Sequence, residues 1–153
     1  AKAMFSNVLV VCVGNICRSP MAEALLRQRA NMPDVQIASA GTHAMQGHPM
    51  DPLAHAVLRM NQVHSTPHLA RQIDRQMLHR SELILLMETT QLKSVLKIAP
   101  EVRGKTFLIG KWQHQMEIAD PYRQPKSAFE QTYEQLSRCV DDWLPYLQSG
   151  ETR

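Results

Sequence analysis

The apolar positions of this chain fall into short runs separated by longer amphipathic stretches, and the two kinds of segment alternate. Phe5 to Val13 is valine-rich and almost wholly apolar, which predicts a strand buried on both faces. Gly14 and Asn15 break it. A helix over Pro20–Ala30 follows, with Ser19 predicted as its N-cap and Pro20 at the first helical position. Its Met21, Ala22, Leu25 and Leu26 share one face, and Asn31 to Pro33 ends it. Val35–Ala40 reads as a second strand, stopped by Gly41. Asp51 and Pro52 repeat the cap-plus-proline start for a helix through Met60, and Asp74 caps a shorter helix over Arg75–Arg80. Leu83–Met87 is a third buried strand, followed by a helix over Thr90–Ile98. Lys105–Ile109 is the fourth strand, and a long loop runs from Gly110 to Pro125. The last helix, Ser127–Leu147, is amphipathic through Phe129, Tyr133, Leu136, Val140, Trp143 and Leu147. Strands alternating with helices predict an α/β fold: one three-layer domain in which a four-stranded parallel sheet carries helices on both faces.

The chain has 153 residues, enough for one such domain and too few for a second. Residues 4–150 are expected to form it, and Ala1-Lys2-Ala3 reads as a remnant preceding the natural start at Met4. Hydrophobic residues are 44% and charged residues 20% of the chain, values that argue against disorder. No apolar run reaches the ~18 residues of a membrane span and no secretory signal is visible, so a cytoplasmic protein without membrane insertion is expected. Three cysteines make no disulfide framework, in keeping with a reducing compartment. A net charge of +3 with only two Trp and three Tyr fits a nucleic-acid reader poorly. It is compatible with small anionic substrates.

In open parallel sheets ligands sit beyond the carboxyl ends of the strands. The segment leaving the first strand is Cys12-Val13-Gly14-Asn15-Ile16-Cys17-Arg18-Ser19-Pro20. It lacks the glycines and lysine of a nucleotide-binding loop. It offers instead a thiol, an arginine six residues later and a helix N-terminus behind both. Successive N–H groups in such a turn form an anion nest, and the helix dipole adds positive potential. Arg18 can grip two phosphate oxygens at once. A positive charge at a helix start also wants a compensating anion. The same field favours a thiolate at Cys12, and the Ser19 hydroxyl is placed to donate to the sulfur. A thiolate attacking phosphorus needs a proton donor for the leaving oxygen. Asp120, in the loop after the fourth strand, is the best candidate on topology, although an Asp before Pro is also an ordinary turn residue. Tyr122 offers an aromatic wall for a ring-bearing substrate.

Val11 to Glu23 resembles the active-site signature of low-molecular-weight protein tyrosine phosphatases, and Asp120-Pro121-Tyr122 resembles that family's general-acid motif. Ser39–Gly41, His68–Ile73 and Leu86–Glu88 also fall where family members have similar segments. Gly104-Lys105 through Gly110-Lys111-Trp112, together with Ile118–Arg123, look most like the bacterial branch tied to capsule and exopolysaccharide export. The resemblance implies a two-step phosphatase without metal or cofactor, in which Cys12 forms a phosphocysteine, Arg18 and the loop from Val13 to Cys17 hold the phosphate, and Asp120 serves as acid and then base. It implies that Asn15 holds the loop in a strained conformation with His68 as its hydrogen-bond partner. It implies too that Cys17 can close a protective disulfide with Cys12. The implied substrate is a phosphotyrosine protein, such as a bacterial tyrosine autokinase, and a monomer is the expected state. Met45 stands where many relatives place a bulkier wall residue, and Arg123 where animal relatives have a second tyrosine. Both bear on selectivity rather than chemistry.

Three other activities fit the fold less well. An arsenate reductase needs downstream relay cysteines, and only the distant Cys139 is present. Protein-arginine phosphatases have a small polar residue in place of Ile16. A phosphocarrier has no use for an acid such as Asp120. The seven histidines show no metal-ligand spacing.

Overall fold

The computed structural model describes residues 4–147. The expected remnant at 1–3 and the expected domain end at 150 lie outside them. The elements are β1 (Asn7–Cys12), α1 (Arg18–Ala30), β2 (Gln36–Gly41), α2 (Pro52–Met60), α3 (Arg75–Arg80), β3 (Leu83–Leu86), α4 (Thr89–Ile98), a 3-10 turn (Pro100–Lys105), β4 (Thr106–Leu108) and α5 (Lys126–Leu147). All four strands are parallel, in the order β2-β1-β3-β4. β1 is therefore central, with β2 on one side and β3 on the other.

Period-2 alternation along the central strands sorts the core into two layers. Val8, Val10, Leu83 and Leu85 face one cluster, packed with Met21, Leu25 and Leu26 of α1, Val57 and Leu58 of α2, and Phe129, Leu136, Val140 and Trp143 of α5. Leu9, Val11, Ile84 and Leu86 face the other, against Leu78 of α3, Val95 of α4, and Val102. Helices cover both faces, as the alternating pattern predicts. The Trp143 indole N–H donates to the Ile109 carbonyl at 2.8 Å, pinning α5 to the end of β4.

Most element ends fall within two residues of the sequence reading, with β2 running on through Gly41 where a stop was expected, and two differences change the picture. The turn over Pro100–Lys105 carries no apolar period to announce it. More consequentially, α1 begins at Arg18, with Cys17 at the N-cap position and no capping side chain. Ser19 is thus not a cap: it lies inside the first turn, where Pro20 still costs no helical hydrogen bond because its N–H would be one of the unpaired first ones. The helix starts early because the loop before it closes directly onto it, and the Ser19 hydroxyl is engaged elsewhere. No helix among the described residues is long and apolar enough to cross a membrane.

Candidate active site

The loop from Cys12 to Cys17 is shaped by where its carbonyls go. The carbonyls of Cys12, Val13, Gly14 and Ile16 accept from the N–H groups of Thr42, His43, Met45 and Asp51 at 2.9–3.0 Å. The Asn15 carbonyl accepts from His68 Nε2 at 2.6 Å, and the Cys17 carbonyl from Met21 N–H. With every carbonyl engaged outside the loop, its N–H groups are what remains to meet an anion. Gly41 permits this approach. A Cβ there would stand 2.3 Å from the Val13 carbonyl oxygen.

Asn15 is the loop's strained point, in the left-handed region at φ 60°, a conformation Asn adopts more readily than most residues. Its buried side chain holds it there. Oδ1 accepts from Arg71 N–H at 2.9 Å, which orients the amide so that Nδ2 donates to Ser39 Oγ at 3.0 Å and Ser19 Oγ at 2.8 Å. The Ser39 hydroxyl in turn donates to Glu23 Oε1 at 2.6 Å, and Arg27 binds the other Glu23 oxygen. Because Ser19 Oγ accepts from Asn15, its proton is free for Cys12 Sγ, 2.9 Å away. The Asn15 N–H reaches the same sulfur at 3.3 Å. Two donors thus converge on Cys12, an arrangement complementary to a negative sulfur. Cys17 lacks such support; burial chiefly, then the charges of Asp51 and Asp120, pushes its thiol well above the ordinary range.

Arg18 is 1% exposed and held along one edge. Its Nη1 donates to Glu88 Oε1 at 2.6 Å and to the Ile118 carbonyl at 2.7 Å. Nε is buried without a partner, and Nη2 lies 3.7 Å from Asp120 Oδ2. A buried guanidinium with one edge fixed and the other unsatisfied is built to receive a bidentate anion. A pocket of about 160 Å³ opens there, lined by residues 12–18 with His43, Met45, Asp120 and Tyr122. Asp120 is 46% exposed at its rim, and Oδ1 accepts from Tyr122 N–H at 3.0 Å. Ile16, Met45 and Tyr122 supply apolar wall.

The site residues singled out from sequence therefore converge on this pocket, with Ser19 and His68 just behind the loop. His43 carries no signal in the sequence, and Glu88 and Ile118 lie in segments that resemble the family without a role of their own being legible there. His43 and Glu88 lie just past the carboxyl ends of β2 and β3, where the strand-end rule for open sheets directs the search. The backbone carbonyl leaves no sequence signal. Among the described residues, no three His, Cys, Asp or Glu side chains are grouped to hold a metal ion.

Comparison with known proteins finds a family model and close relatives for this chain. Residues 7–152 match the family model described as low molecular weight phosphotyrosine protein phosphatase. The low molecular weight protein-tyrosine-phosphatase Etp of Escherichia coli K12 is 46% identical over 147 residues, 96% of this chain and 98% of Etp. The crystal structure of the Erwinia amylovora tyrosine phosphatase AmsI superimposes with a TM-score of 0.86 at 45% identity, covering 91% of both chains. Vibrio vulnificus Wzb in complex with benzylphosphonate gives a TM-score of 0.87 at 40% identity, over 92% of this chain and 97% of that one.

Proposed function

The chain belongs to the low molecular weight phosphotyrosine protein phosphatase family, a metal-independent, cysteine-based class of hydrolase, and from that premise we propose how its residues divide the work. Cys12 Sγ attacks phosphorus in line, so that an S–P bond forms as the aryl P–O bond breaks. Asp120 gives its proton to the departing phenolate oxygen. Asp120, now ionised, takes a proton from water as that water attacks phosphorus. The S–P bond breaks, and inorganic phosphate leaves. Arg18, through Nε and Nη2, and the N–H groups of the loop from Val13 to Cys17, apart from that of Asn15, which faces the Cys12 sulfur, hold the non-bridging oxygens in both steps, a fixed array that needs no reorganisation as charge develops. Asn15, Ser19 and His68 keep the loop in shape. The observation that supports this reading best is the meeting of the Cys12 sulfur, the unpartnered edge of Arg18 and the Asp120 carboxylate in one pocket.

The physiological substrate we infer is a phosphotyrosine on a bacterial tyrosine autokinase of polysaccharide export, met in the cytoplasm. The apolar walls suit an aryl ring, and the segments shared with the bacterial branch favour that kinase class. The test is steady-state hydrolysis of an aryl phosphate with chelator present, for the wild type, Cys12→Ser and Asp120→Asn. Cys12→Ser is expected below about one-thousandth of the wild-type rate. The wild-type kcat/KM is expected to be bell-shaped in pH, since Cys12 must be ionised while Asp120 is protonated. Asp120→Asn with full rate and an unchanged profile would remove Asp120 from the mechanism. Parallel assays on phosphotyrosine, phosphoserine and phosphoarginine peptides are expected to favour phosphotyrosine. A preference for phosphoarginine would overturn the substrate assignment.

A further inference from the structure

Asp120 sits at the rim of the pocket, in a loop that runs from Gly110 to Pro125 without a regular element. Its own side chain makes only the 3.0 Å bond from Tyr122 N–H and the 3.7 Å approach to Arg18. A proton donor so loosely tied must be placed by the chain around it, because a displacement of about 1 Å can cost ~100-fold in rate.

We propose that the junction between β3 and α4, Met87 to Thr89, is a clamp for the acid-bearing segment, and that Glu117 and Thr89 are positioning residues for Asp120. Three consecutive junction residues hold two consecutive loop residues. The Met87 carbonyl accepts from Ile118 N–H at 3.0 Å. Glu88 shares the Arg18 Nη1 group with the Ile118 carbonyl, at 2.6 and 2.7 Å. Thr89 donates twice to Glu117 Oε2, from its N–H at 2.7 Å and its hydroxyl at 2.6 Å. Ile118 is fully buried, so the segment is fixed two residues before Asp120. The outer point also answers a need of α4. The Thr89 N–H is one of the first-turn donors that a helix leaves unpaired, and a carboxylate there is favoured by the helix dipole. Those two bonds hold the Glu117 carboxyl below the usual carboxylate range, so the acceptor stays ionised. Glu117 and Thr89 are exposed and neither lines the pocket. Their contribution is to direction, and substituting them removes no core packing.

The proposal rests on Asp120 being the acid, and the test separates the two. The readout is kcat/KM for an aryl phosphate with a poor leaving group, phenyl phosphate, and one with a good leaving group, 2,4-dinitrophenyl phosphate. Only the first needs a well-placed proton. Glu117→Ala and Thr89→Val are expected to lose about tenfold on phenyl phosphate and less than about twofold on the dinitrophenyl ester, with Glu117→Gln, which keeps an acceptor oxygen, in between. In an Asp120→Ala background, Glu117→Ala is expected to cost nothing more. Equal losses on both substrates, no loss on either, or a Glu117→Ala loss that persists without Asp120 would each overturn the clamp. A wild-type dependence on leaving group in Asp120→Ala alone would overturn the acid assignment, and the clamp with it.

Discussion

Gly41→Ala is the substitution whose consequence follows most directly from distances. The added Cβ meets the Val13 carbonyl oxygen at 2.3 Å, with Asn15 Cβ at 3.1 Å and Ala44 Cα at 3.2 Å. An ordinary contact begins near 3.4 Å, so something must move by about 1 Å. β2 cannot easily be what moves, because Gly41 N–H is bound by the Arg71 carbonyl and its own carbonyl by Ile73 N–H, both at 2.9 Å. The displacement therefore falls on the Val13 peptide and the nest it begins. Overpacking of this size costs about 1–3 kcal/mol, which for a domain of this length lowers Tm by roughly 2–12 °C. The fold survives, but an anion nest shifted by about 1 Å is expected to lose ~100-fold in kcat/KM. Phosphate, measured as a competitive inhibitor, should weaken in parallel. Gly104→Ala is the control: no atom lies within 4 Å of its added Cβ, and it is expected to match the wild type. A folded Gly41→Ala enzyme within about threefold of wild-type kcat/KM would refute the steric argument.

Two further outcomes are expected. Peroxide should oxidise the Cys12 thiolate to a sulfenic acid, which the Cys17 thiolate then attacks, expelling the oxygen as water and closing a disulfide that a thiol reductant reopens. Because burial raises the Cys17 thiol, its thiolate fraction should grow about tenfold per pH unit across neutrality, and disulfide closure should accelerate likewise. Closure independent of pH, or unchanged recovery in Cys17→Ser, would count against that route. Glu82 binds the Ser6 N–H and hydroxyl and the Asn7 N–H, and those bonds, Ser6 first, lower its pKa in the folded state. A depressed carboxylate stabilises above its unfolded pKa, and that stabilisation fades as pH falls through the folded value. At this exposed site it amounts to less than about 1 kcal/mol. Glu82→Gln should flatten the acid side of the stability curve in urea titrations, and an unchanged acid slope would exclude Glu82 as a contributor.

Much of this molecule is legible along the chain because its strands are buried on both faces. Valine and leucine runs at β1 and β3, each closed by a polar or glycine signal, give element type and order, and the parallel arrangement then fixes which loops share a face. That reasoning sets the Cys12 loop and the loop of Asp120 on one face, and the resemblance to the family then selects Asp120 from an ordinary Asp-Pro turn. Ser19 shows where it fails. Ser before Pro is a strong helix-start pattern, yet here the hydroxyl lies between Cys12 and Asn15 and the helix begins two residues earlier than that pattern predicts, at Arg18. Local propensity yields to a network assembled from Ser39 and Arg71, far along the chain. Glu88 and Ile118 lie in segments that resemble the family, yet their task is not legible for a related reason. Their partner Arg18 is 70 and 100 residues away, and no local period encodes such a pairing.

The 100-residue span between Arg18 and the Ile118 carbonyl has a consequence during synthesis. At ~5–20 residues per second, a ribosome needs roughly 5–20 s to pass from one to the other. During that interval the Cys12 thiol is already made, while the carbonyl that anchors Arg18 and the carboxylate at 120 do not yet exist. Each nascent molecule therefore passes through a stage in which its most reactive atom lacks the chamber that later governs access to it. Oxidative damage at Cys12 should accordingly depend on how fast the chain is translated as well as on how stable the finished fold is.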